Sequence, residues 1–456
     1  MFHASIAAMI KNYGVASTGL NGLIEIPYHT LSHTMFAGLS KLTHVPIVEI
    51  YGSAKWFLFA PLLIFSLSYA SKVYAANKDQ SVLQLWVGVV LILMIAPRIS
   101  GRWALWDSWF VSESYLVALS LFVLGMTQVT KKELALVDLI LLPVLTFLMS
   151  NAKGSVGVFY AVILCGRVVF LGKKTRVPDL MAAFLVFAVA AFSVYGSASA
   201  ASSGMSIDLF HFPRVYGLFG ENLSMNRLSF KNWSDWSGTS LWFASLILFL
   251  LMHFFVSWLV IFSSNGKDFW QSTLASEGRY YSLLSVTVAF FALMLFEIPG
   301  GSAYYITNVC FFVSLPYLVA AIYNKINFKN VLLILAISIV AVLLCEIRVY
   351  KGKMASYKSL DNSSQYFVDH LISLRLEPND YVLRVDKEFL SMNPIVLCGT
   401  RPLVYPAISE HAWVGLMSPE DGCEYKDYGY VKYFNSNEGL VPQRLLPEMK
   451  IKEVQR

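Results

Sequence analysis

Two histidines four residues apart, His29 and His33, stand in the segment EIPYHTLSH of a chain that is otherwise mostly apolar. Four residues make about one helical turn, so both imidazoles would lie on one face, where such a pair can bind zinc. The zincin pattern needs a glutamate after the first histidine and a third ligand, and Thr30 occupies the place of that glutamate. We therefore predict no metal site here. The alternatives are a solvent-facing helix surface and a phosphate contact, to which protonated histidine donates from both nitrogens.

Two carboxylates are candidates for a general base, the group that takes the proton of a hydroxyl as a new C–O bond forms. Glu25 is the one acidic residue near the histidines, and its alternative is an exposed loop glutamate. Glu113 lies in WDSWFVSESY, about one turn inside a predicted membrane helix. A charge at that depth is costly unless it is paired or lines a cavity, so Glu113 either faces a cavity or pairs with Arg102 or Lys153.

Further polar residues are candidates for contacts to a substrate. Lys153, in SNAKGSVG, either holds a lipid phosphate or extends to the membrane interface. Arg214, in the HFPRVYG part of a 40-residue loop, either contacts a phosphate or is a flexible loop arginine. Glu297, Tyr304 and Tyr305 flank the turn in FEIPGGSAYY and would rim the same cavity mouth, although an aromatic belt equally explains the tyrosines.

The elements that must position these residues follow from the composition. Of 456 residues, 56% are hydrophobic and 14% are charged, which is typical of a membrane protein. A helix needs about 17 to 25 apolar residues to cross about 30 Å of hydrocarbon, and continuous apolar runs indicate helices rather than barrel strands. We predict ten transmembrane helices, at 53–71, 81–97, 110–126, 134–150, 155–171, 178–197, 239–263, 280–297, 302–323 and 329–349.

The chain thus divides into an N-terminal segment at 1–52, a helical membrane domain at 53–350 and a C-terminal domain at 351–456. The last 106 residues carry 13 Lys+Arg and 14 Asp+Glu, so they predict a soluble domain. A helix at SSQYFVDHLISL and strands at DYVLRVD and PIVLCG predict an α/β fold there. A disulfide between Cys398 and Cys423 stays open.

The N-terminal segment is predicted to contain a helix that lies on the membrane surface. Pro27 would stand at the start of this helix. His29, Ser32, His33 and Ser40 would face water. The opposite, apolar stripe would lie in the acyl boundary; it consists of Tyr28, Leu31, Met35, Leu39 and Leu42.

Basic residues predict the orientation in the membrane. Eleven of them lie in the loops after the first, third, fifth, seventh and ninth predicted helices, which are therefore cytoplasmic. Residues 1–52, the loop at 198–238 and the C-terminal domain are then outside. The positive net charge of +6 reflects this topology rather than nucleic-acid binding. Seven of the eight histidines fall outside in this arrangement: His3, His29, His33, His44, His211, His370 and His411.

Two segments resemble polytopic glycosyltransferases of the GT-C class, in particular bacterial members. In MFHASIAAMIKNYGVASTGLNGLIEIPYHTLSH, the elements FH, YGV with STGL, and YH with SH are similar to the first extracytoplasmic loop of that class. LCGTRPLVYPAISEHAW is similar to the exported tail segment of the same proteins. Its Arg401, Tyr405, His411 and Trp413 would form either a head-group surface or a packed core. The helical body matches as a pattern.

The resemblance implies transfer of a sugar from a polyprenyl-phosphate donor outside the cytoplasmic membrane. It also implies a catalytic or metal-associated carboxylate in the first outer loop, close to the end of the first membrane helix. That position falls just ahead of Met1, so we expect that a preceding helix and the main carboxylate are missing from this chain. The alternative is that residues 1–52 are translocated as a tail ahead of the first helix. The cofactor is not determined by the sequence, and a divalent cation such as Mg²⁺ or Mn²⁺ stays open.

We therefore expect an all-α polytopic membrane protein with about ten transmembrane helices and a small extracytoplasmic C-terminal α/β domain, in a bacterial cytoplasmic membrane. Its expected function is that of a glycosyltransferase in cell-surface glycan assembly. His3 joins His29, His33, Lys153, Arg214, Glu297 and Tyr304 as an expected substrate contact, with Glu25 and Glu113 as candidate bases. The alternative is a non-catalytic protein, either a lipid-linked glycan transporter or an inactive assembly partner. Inverted repeats would favour transport, and we find no such repeat.

Overall fold

The structure is a computed structural model of the 456-residue chain. It describes residues 1–20, 22–23, 25–26, 30–75, 113–198, 206–207, 247, 250–251, 254–262, 273–297, 304–323, 362–375, 381–385, 403–414 and 450–454. The chain forms two compact units. The terminal unit comprises Met1–Phe57, Val194–Ser203 and Gly352–Arg456, and the helical unit comprises Leu58–Ser193 and Gly204–Lys351.

Helices make up most of the described chain. They are α1 (Phe2–Tyr13), α2 (Leu31–Thr43), α3 (Ile47–Ala54), α4 (Ala60–Tyr74), α5 (Glu113–Val129), α6 (Asp138–Ala152), α7 (Gly154–Leu171), α8 (Val177–Ala198), α9 (Phe255–Phe262), α10 (Thr273–Leu295), α11 (Tyr304–Tyr323), α12 (Asn362–Leu374) and α13 (Val404–Ser409). A π-helical stretch, Lys55–Phe59, joins α3 to α4, and a 3₁₀ turn, Gly172–Lys174, follows α7. The strands are β1 (Ser206–Ile207), β2 (Phe296–Glu297), β3 (Tyr381–Val385), β4 (Trp413–Val414) and β5 (Lys450–Val454).

Three of the described helical stretches are long and apolar enough to cross a membrane, judged by length and composition: Phe57–Tyr74, Gly154–Leu171 and Glu277–Leu295. Shorter apolar helices cover Glu113–Val129, Asp138–Ala152, Val177–Ser193 and Tyr305–Ala321. These features make the protein a predominantly helical membrane protein. The predicted spans at 81–97 and 329–349 lie outside the described residues.

Small residues allow the helices of the helical unit to pack closely. A Cβ atom on Gly157 would lie 1.9 Å from Ser150 Oγ and 2.9 Å from Ser150 Cα, so α6 and α7 touch where Gly157 has no side chain. Gly125 contacts the ring of Tyr160, whose hydroxyl donates to the Gly125 carbonyl oxygen at 3.1 Å. Lipid tails are as apolar as leucine, so such close contacts and interhelical hydrogen bonds hold membrane helices together.

A buried arginine, Arg167, links three helices of the helical unit through an ion pair and hydrogen bonds. Arg167 Nε lies 3.0 Å from Asp179 Oδ1, and both side chains are buried. Arg167 Nη1 also donates to the carbonyl oxygens of Val129 and Lys131. The other oxygen of Asp179 accepts from the backbone N–H of Arg176 at 3.0 Å. The ends of α5 and α7 and the start of α8 are thereby held by one charged network.

The terminal unit combines both ends of the chain. Its parallel sheet has the order β4-β3-β5, with Leu383 opposite Trp413 on one side and Lys452 on the other. The backbone of Trp413 donates to the carbonyl oxygen of Gly19 and accepts from the N–H of Gly22, both at 2.7 Å. The segments 1–52 and 351–456, which the sequence analysis treated separately, therefore contribute to one compact unit.

The tip of α13 is joined to the N-terminal helices through Glu410. This residue has a left-handed backbone with φ 57°, and its carbonyl oxygen accepts from Asn12 Nδ2 at 2.7 Å. Its carboxylate pairs with Lys11 and accepts the backbone N–H of Ile47 at 2.7 Å. A single glutamate thus satisfies polar groups of both α1 and α3.

The water-facing side predicted for the surface helix is wrong for α2. Ser32, His33 and Ser40, which were expected to face water, are each 0% exposed, whereas Leu42 of the apolar stripe is 81% exposed, as a lipid-facing residue would be. The polar groups turn inward because they find partners there: Ser40 Oγ donates to the carbonyl oxygen of Val45 at 2.6 Å, and His33 contacts another histidine. The helix begins at Leu31 rather than near Pro27.

Candidate functional site

Four side chains from three parts of the helical unit form what we call the Lys153 cluster: Glu113, Tyr115, Lys153 and Tyr305. Glu113 opens α5 and is 1% exposed. Lys153 lies between α6 and α7, and its Nζ lies 3.9 Å from the centroid of the Tyr305 ring in α11. A cation at this distance from an aromatic face is attracted by the ring quadrupole.

Local backbone structure explains the position of Lys153. Its backbone is extended, with φ −156° and ψ 106°, so it both ends α6 and precedes α7. Its N–H donates to the carbonyl oxygen of Met149 at 2.7 Å. The close contact between Gly157 and Ser150 lets the two helices turn on this single residue. The lysine is therefore fixed at the tip of a helical hairpin.

Tyr115 links α5 to α11. Its hydroxyl donates to the backbone carbonyl oxygen of Tyr305 at 3.1 Å, and the two rings have centroids 4.7 Å apart. Tyr115 lies two residues after Glu113, so this bond also fixes the start of α5 relative to α11. The ring that contacts Lys153 is thus held in place from α5.

Burial lowers the pKa of Lys153 to about 8, and the negative charge of Glu113 raises it in part. An ordinary lysine is fully protonated at neutral pH, whereas this one titrates within reach of it. Groups with such displaced pKa values concentrate at functional sites. The Lys153 cluster is therefore the candidate site of the helical unit.

The two strongest predicted residues of the helical unit are brought together in this cluster. Glu113 and Lys153 interact electrostatically, although 40 positions separate them in the sequence. Tyr304 is the first residue of α11, directly before Tyr305. Glu297 lies in β2, where its backbone pairs with Ser206 of β1. Tyr305, which the sequence placed with Tyr304 at the rim of a cavity, belongs to the cluster. Sequence reasoning missed Tyr115, because only the helix packing distinguishes it from other tyrosines.

The remaining predicted residues divide between the terminal unit and undescribed parts. The side chain of Glu25 is exposed, and its backbone bridges that of Ser17, which agrees with the alternative of a loop glutamate. His29 and Arg214 lie outside the described residues. Cys398 and Cys423, the candidates for a disulfide, also lie there.

His3 and His33 form a second cluster, the histidine pair, within the terminal unit. Nδ1 of His3 lies 2.9 Å from Nε2 of His33, and the rings stack with centroids 5.2 Å apart. The ring of Tyr51 is nearly parallel to that of His3, at 6.1 Å. Sequence spacing suggested His29 as the neighbour of His33. The fold instead pairs His33 with a histidine thirty positions earlier, because α1 packs against α2.

The described part of the segment LCGTRPLVYPAISEHAW, residues 403–413, forms core. Tyr405, His411 and Trp413 are all fully buried. Trp413 Nε1 donates to Ser409 Oγ at 2.9 Å, and the rings of Tyr405 and Trp413 meet edge to face. For these three residues the packed-core alternative holds, while Arg401 lies outside the described part.

Neither a protein-family model, nor a curated protein, nor a solved structure matches this chain. Its function must therefore be inferred from the chemistry of the Lys153 cluster and the histidine pair.

Proposed function

We propose that this protein is a membrane glycosyltransferase that moves a sugar from a polyprenyl-phosphate donor to an extracytoplasmic acceptor in cell-surface glycan assembly. The observation that supports it best is the Lys153 cluster, in which a buried carboxylate acts electrostatically on a half-buried lysine. A phosphate ester needs a cation, and an acceptor hydroxyl needs a base. The cluster offers both groups at one end of an apolar helical bundle.

In this reaction Lys153 would bind the phosphate of the donor. The bond between the anomeric carbon and the phosphate oxygen breaks, and the phosphate leaves with the electron pair. Its negative charge increases as the bond breaks, so a fixed ammonium stabilises the transition state more than the bound donor. Tyr305 holds the ammonium through its ring, and Tyr115 fixes the backbone of Tyr305.

Glu113 would act as the general base. As the acceptor oxygen bonds to the anomeric carbon, its proton moves to the Glu113 carboxylate. Burial keeps bulk water from competing with the acceptor and strengthens the electrostatic effect of the carboxylate. Glu113 is the better candidate than Glu25, because Glu25 is exposed to solvent.

The proposal includes a topology. About ten helices would cross a bacterial cytoplasmic membrane, with residues 1–52, the loop at 198–238 and a small α/β domain outside. The distribution of eleven basic residues among alternate loops supports this orientation. The parallel sheet of β3, β4 and β5 with α12 and α13 supports the α/β character of the C-terminal part. Cysteine labelling from each side of the membrane tests the orientation.

A lipid-linked glycan transporter is the second candidate, because Lys153 would serve a transporter equally well as a phosphate site. A transporter has no need of a base, so the two candidates differ in the role of Glu113. An inactive assembly partner would bind the donor and neither transfer nor move it.

The test is sugar transfer by the purified full-length protein in proteoliposomes that contain polyprenyl-phosphate sugars and candidate acceptors. We expect transfer with release of polyprenyl phosphate. The same vesicles, with a fluorescent lipid-linked glycan, report movement between leaflets. If the glycan moves between leaflets and no polyprenyl-phosphate sugar supports transfer, the protein is a transporter and not a glycosyltransferase.

A further inference from the structure

The nitrogens of the histidine pair converge. In a neutral imidazole one nitrogen is a donor and the other an acceptor, so the 2.9 Å separation requires complementary tautomers of His3 and His33. The same two nitrogens can instead direct their lone pairs at one ion. Tetrahedral zinc with bonds of about 2.05 Å places its ligand nitrogens about 3.3 Å apart, so a separation increased by about 0.4 Å accommodates it.

Neighbouring side chains hold both rings. Phe2 meets the ring of His3 edge to face at 5.2 Å, and Tyr51 stacks on it at 6.1 Å. Phe36 packs against Tyr51 in turn, at 5.4 Å. His33 is fully buried, with Ser32 Oγ 3.5 Å from its second ring nitrogen. Ligands whose orientation is fixed in advance lose less entropy on binding, and partners of the second ring nitrogen orient metal-binding histidines.

We propose that His3 and His33 bind a divalent transition-metal ion such as Zn²⁺ through Nδ1 of His3 and Nε2 of His33. Imidazole nitrogen favours zinc, copper, nickel and cobalt over Mg²⁺ and Ca²⁺, which prefer oxygen. Two imidazoles fill two of the four positions of zinc and leave the others to additional ligands. His3 is half-buried, so one of the two ligands is not fully enclosed by the protein. Binding of the ion is inferred from the histidine pair alone and does not rest on the proposed sugar transfer.

The test measures metal binding with no sugar donor present. The full-length protein in detergent is treated with a chelator, freed of it and titrated with Zn²⁺, or with Co²⁺ as a spectroscopic probe. We expect one equivalent per chain and, for cobalt, visible d–d absorption. X-ray absorption of the zinc form should show imidazole nitrogen at about 2.0–2.1 Å.

Two variants identify the ligands, and a third is the control. His3→Asn and His33→Asn should each weaken Zn²⁺ binding by at least about tenfold, since each removes one of two imidazoles. His44→Asn is the matched control: His44 is exposed at the end of α2 with φ 56°, a conformation that asparagine adopts readily. Circular dichroism and size-exclusion profiles establish that each variant is folded. His33 is buried, so the His33→Asn variant could fail to fold. In that case the His3→Asn variant alone tests the site.

Two results would overturn the site. One is a wild-type protein that, once the chelator has been removed, does not bind one equivalent of Zn²⁺ in the titration. The other is a folded His3→Asn variant that binds Zn²⁺ as tightly as the wild type. Loss of sugar transfer leaves these measurements unaffected, so failure of the metal site and failure of the proposed function are distinguishable.

Discussion

Individual side chains in this protein combine burial with charge. Lys153 is the clearest case, because its ammonium loses hydration and lies over the ring of Tyr305 in the electrostatic field of Glu113. Its type and position could be predicted from SNAKGSVG, and so could Glu113 from WDSWFVSESY. Their proximity could not, because it depends on how α5 packs on α7. The same holds for His3 and His33, which only the packing of α1 on α2 brings together.

Donor binding should depend on pH through Lys153. Its pKa of about 8 lies below the ordinary 10.5, so the ammonium is present below pH 8 and disappears as the pH rises through 8. A phosphodiester keeps its charge in that range. We expect affinity for a polyprenyl-phosphate sugar to fall between pH 7 and pH 9 in equilibrium binding measurements, and Lys153→Met to bind weakly at every pH. A wild-type affinity that is constant to pH 9 would remove Lys153 from the site.

Glu113→Gln should shift that profile to lower pH. The negative charge of Glu113 raises the pKa of Lys153, so its removal leaves burial unopposed and the ammonium is lost earlier. Binding measured over the same pH series checks the shift. An unchanged midpoint would mean that the two groups are not coupled. Glu133→Gln is a matched control, since Glu133 is exposed and pairs with Arg176.

At the scale of elements, apolar runs predict helices better than they predict helix faces. The run at 134–150 corresponds to Asp138–Ala152, and the run at 155–171 corresponds to Gly154–Leu171. The strand expected in DYVLRVD is β3. The face of α2 was assigned wrongly, because polarity indicates solvent only when the fold offers no polar partner. His33 and Ser40 have such partners.

Gly157→Ala should destabilise the α6–α7 hairpin. The new methyl would overlap Ser150, including its backbone Cα, so the helices must separate. We expect the free energy of unfolding to fall by about 1–3 kcal/mol, which lowers the midpoint of thermal unfolding in detergent. Gly38→Ala is the control, because Gly38 lies in α2 with open space around the missing Cβ. That change should be neutral or stabilise by about 0.5–1 kcal/mol. Equal effects of both substitutions would contradict the close contact.

Arg167→Met should be among the most damaging substitutions outside the Lys153 cluster. It leaves Asp179 buried without its ion partner and removes the donor to two backbone carbonyls. Removing one partner of a buried ion pair lowers the free energy of unfolding by about 3–5 kcal/mol. Arg176→Met, which breaks an exposed pair with Glu133, should cost less than about 1 kcal/mol. Midpoints of thermal unfolding compare the two, and a harmless Arg167→Met would refute the structural role of the network.

At the scale of the whole molecule, sequence order and spatial order differ. Residues from both ends of the chain share one compact unit, while the apolar middle forms the other. The change in composition after Tyr350 marks where the sequence becomes more polar. It carries no information on which segment completes the C-terminal core, because that depends on backbone bonds such as those of Trp413 to Gly19 and Gly22.

Tyr13→Phe tests this joint folding of the chain ends. The Tyr13 hydroxyl donates to the carbonyl oxygen of Tyr381 and accepts from the N–H of Ala412, both at 3.2 Å. Loss of the hydroxyl should lower the free energy of unfolding by about 1–3 kcal/mol, since two backbone groups lose a hydrogen-bond partner. Hydrogen exchange of β3 and β4 should therefore accelerate. Tyr69→Phe, on an exposed face of α4, is the control and should leave those strands unchanged. Unaltered exchange in Tyr13→Phe would indicate that the C-terminal sheet is stable without α1.

The role of Glu113 as the base is the central claim, and sugar transfer by Glu113→Gln beside Glu133→Gln tests it most directly. Both proteins are assayed at saturating donor in proteoliposomes, with donor binding measured in parallel. We predict that Glu113→Gln transfers about 10²–10⁴-fold more slowly while it still binds the donor, because the amide cannot accept the proton. Glu133→Gln should match the wild type. Wild-type transfer rates in a folded Glu113→Gln protein would contradict the account.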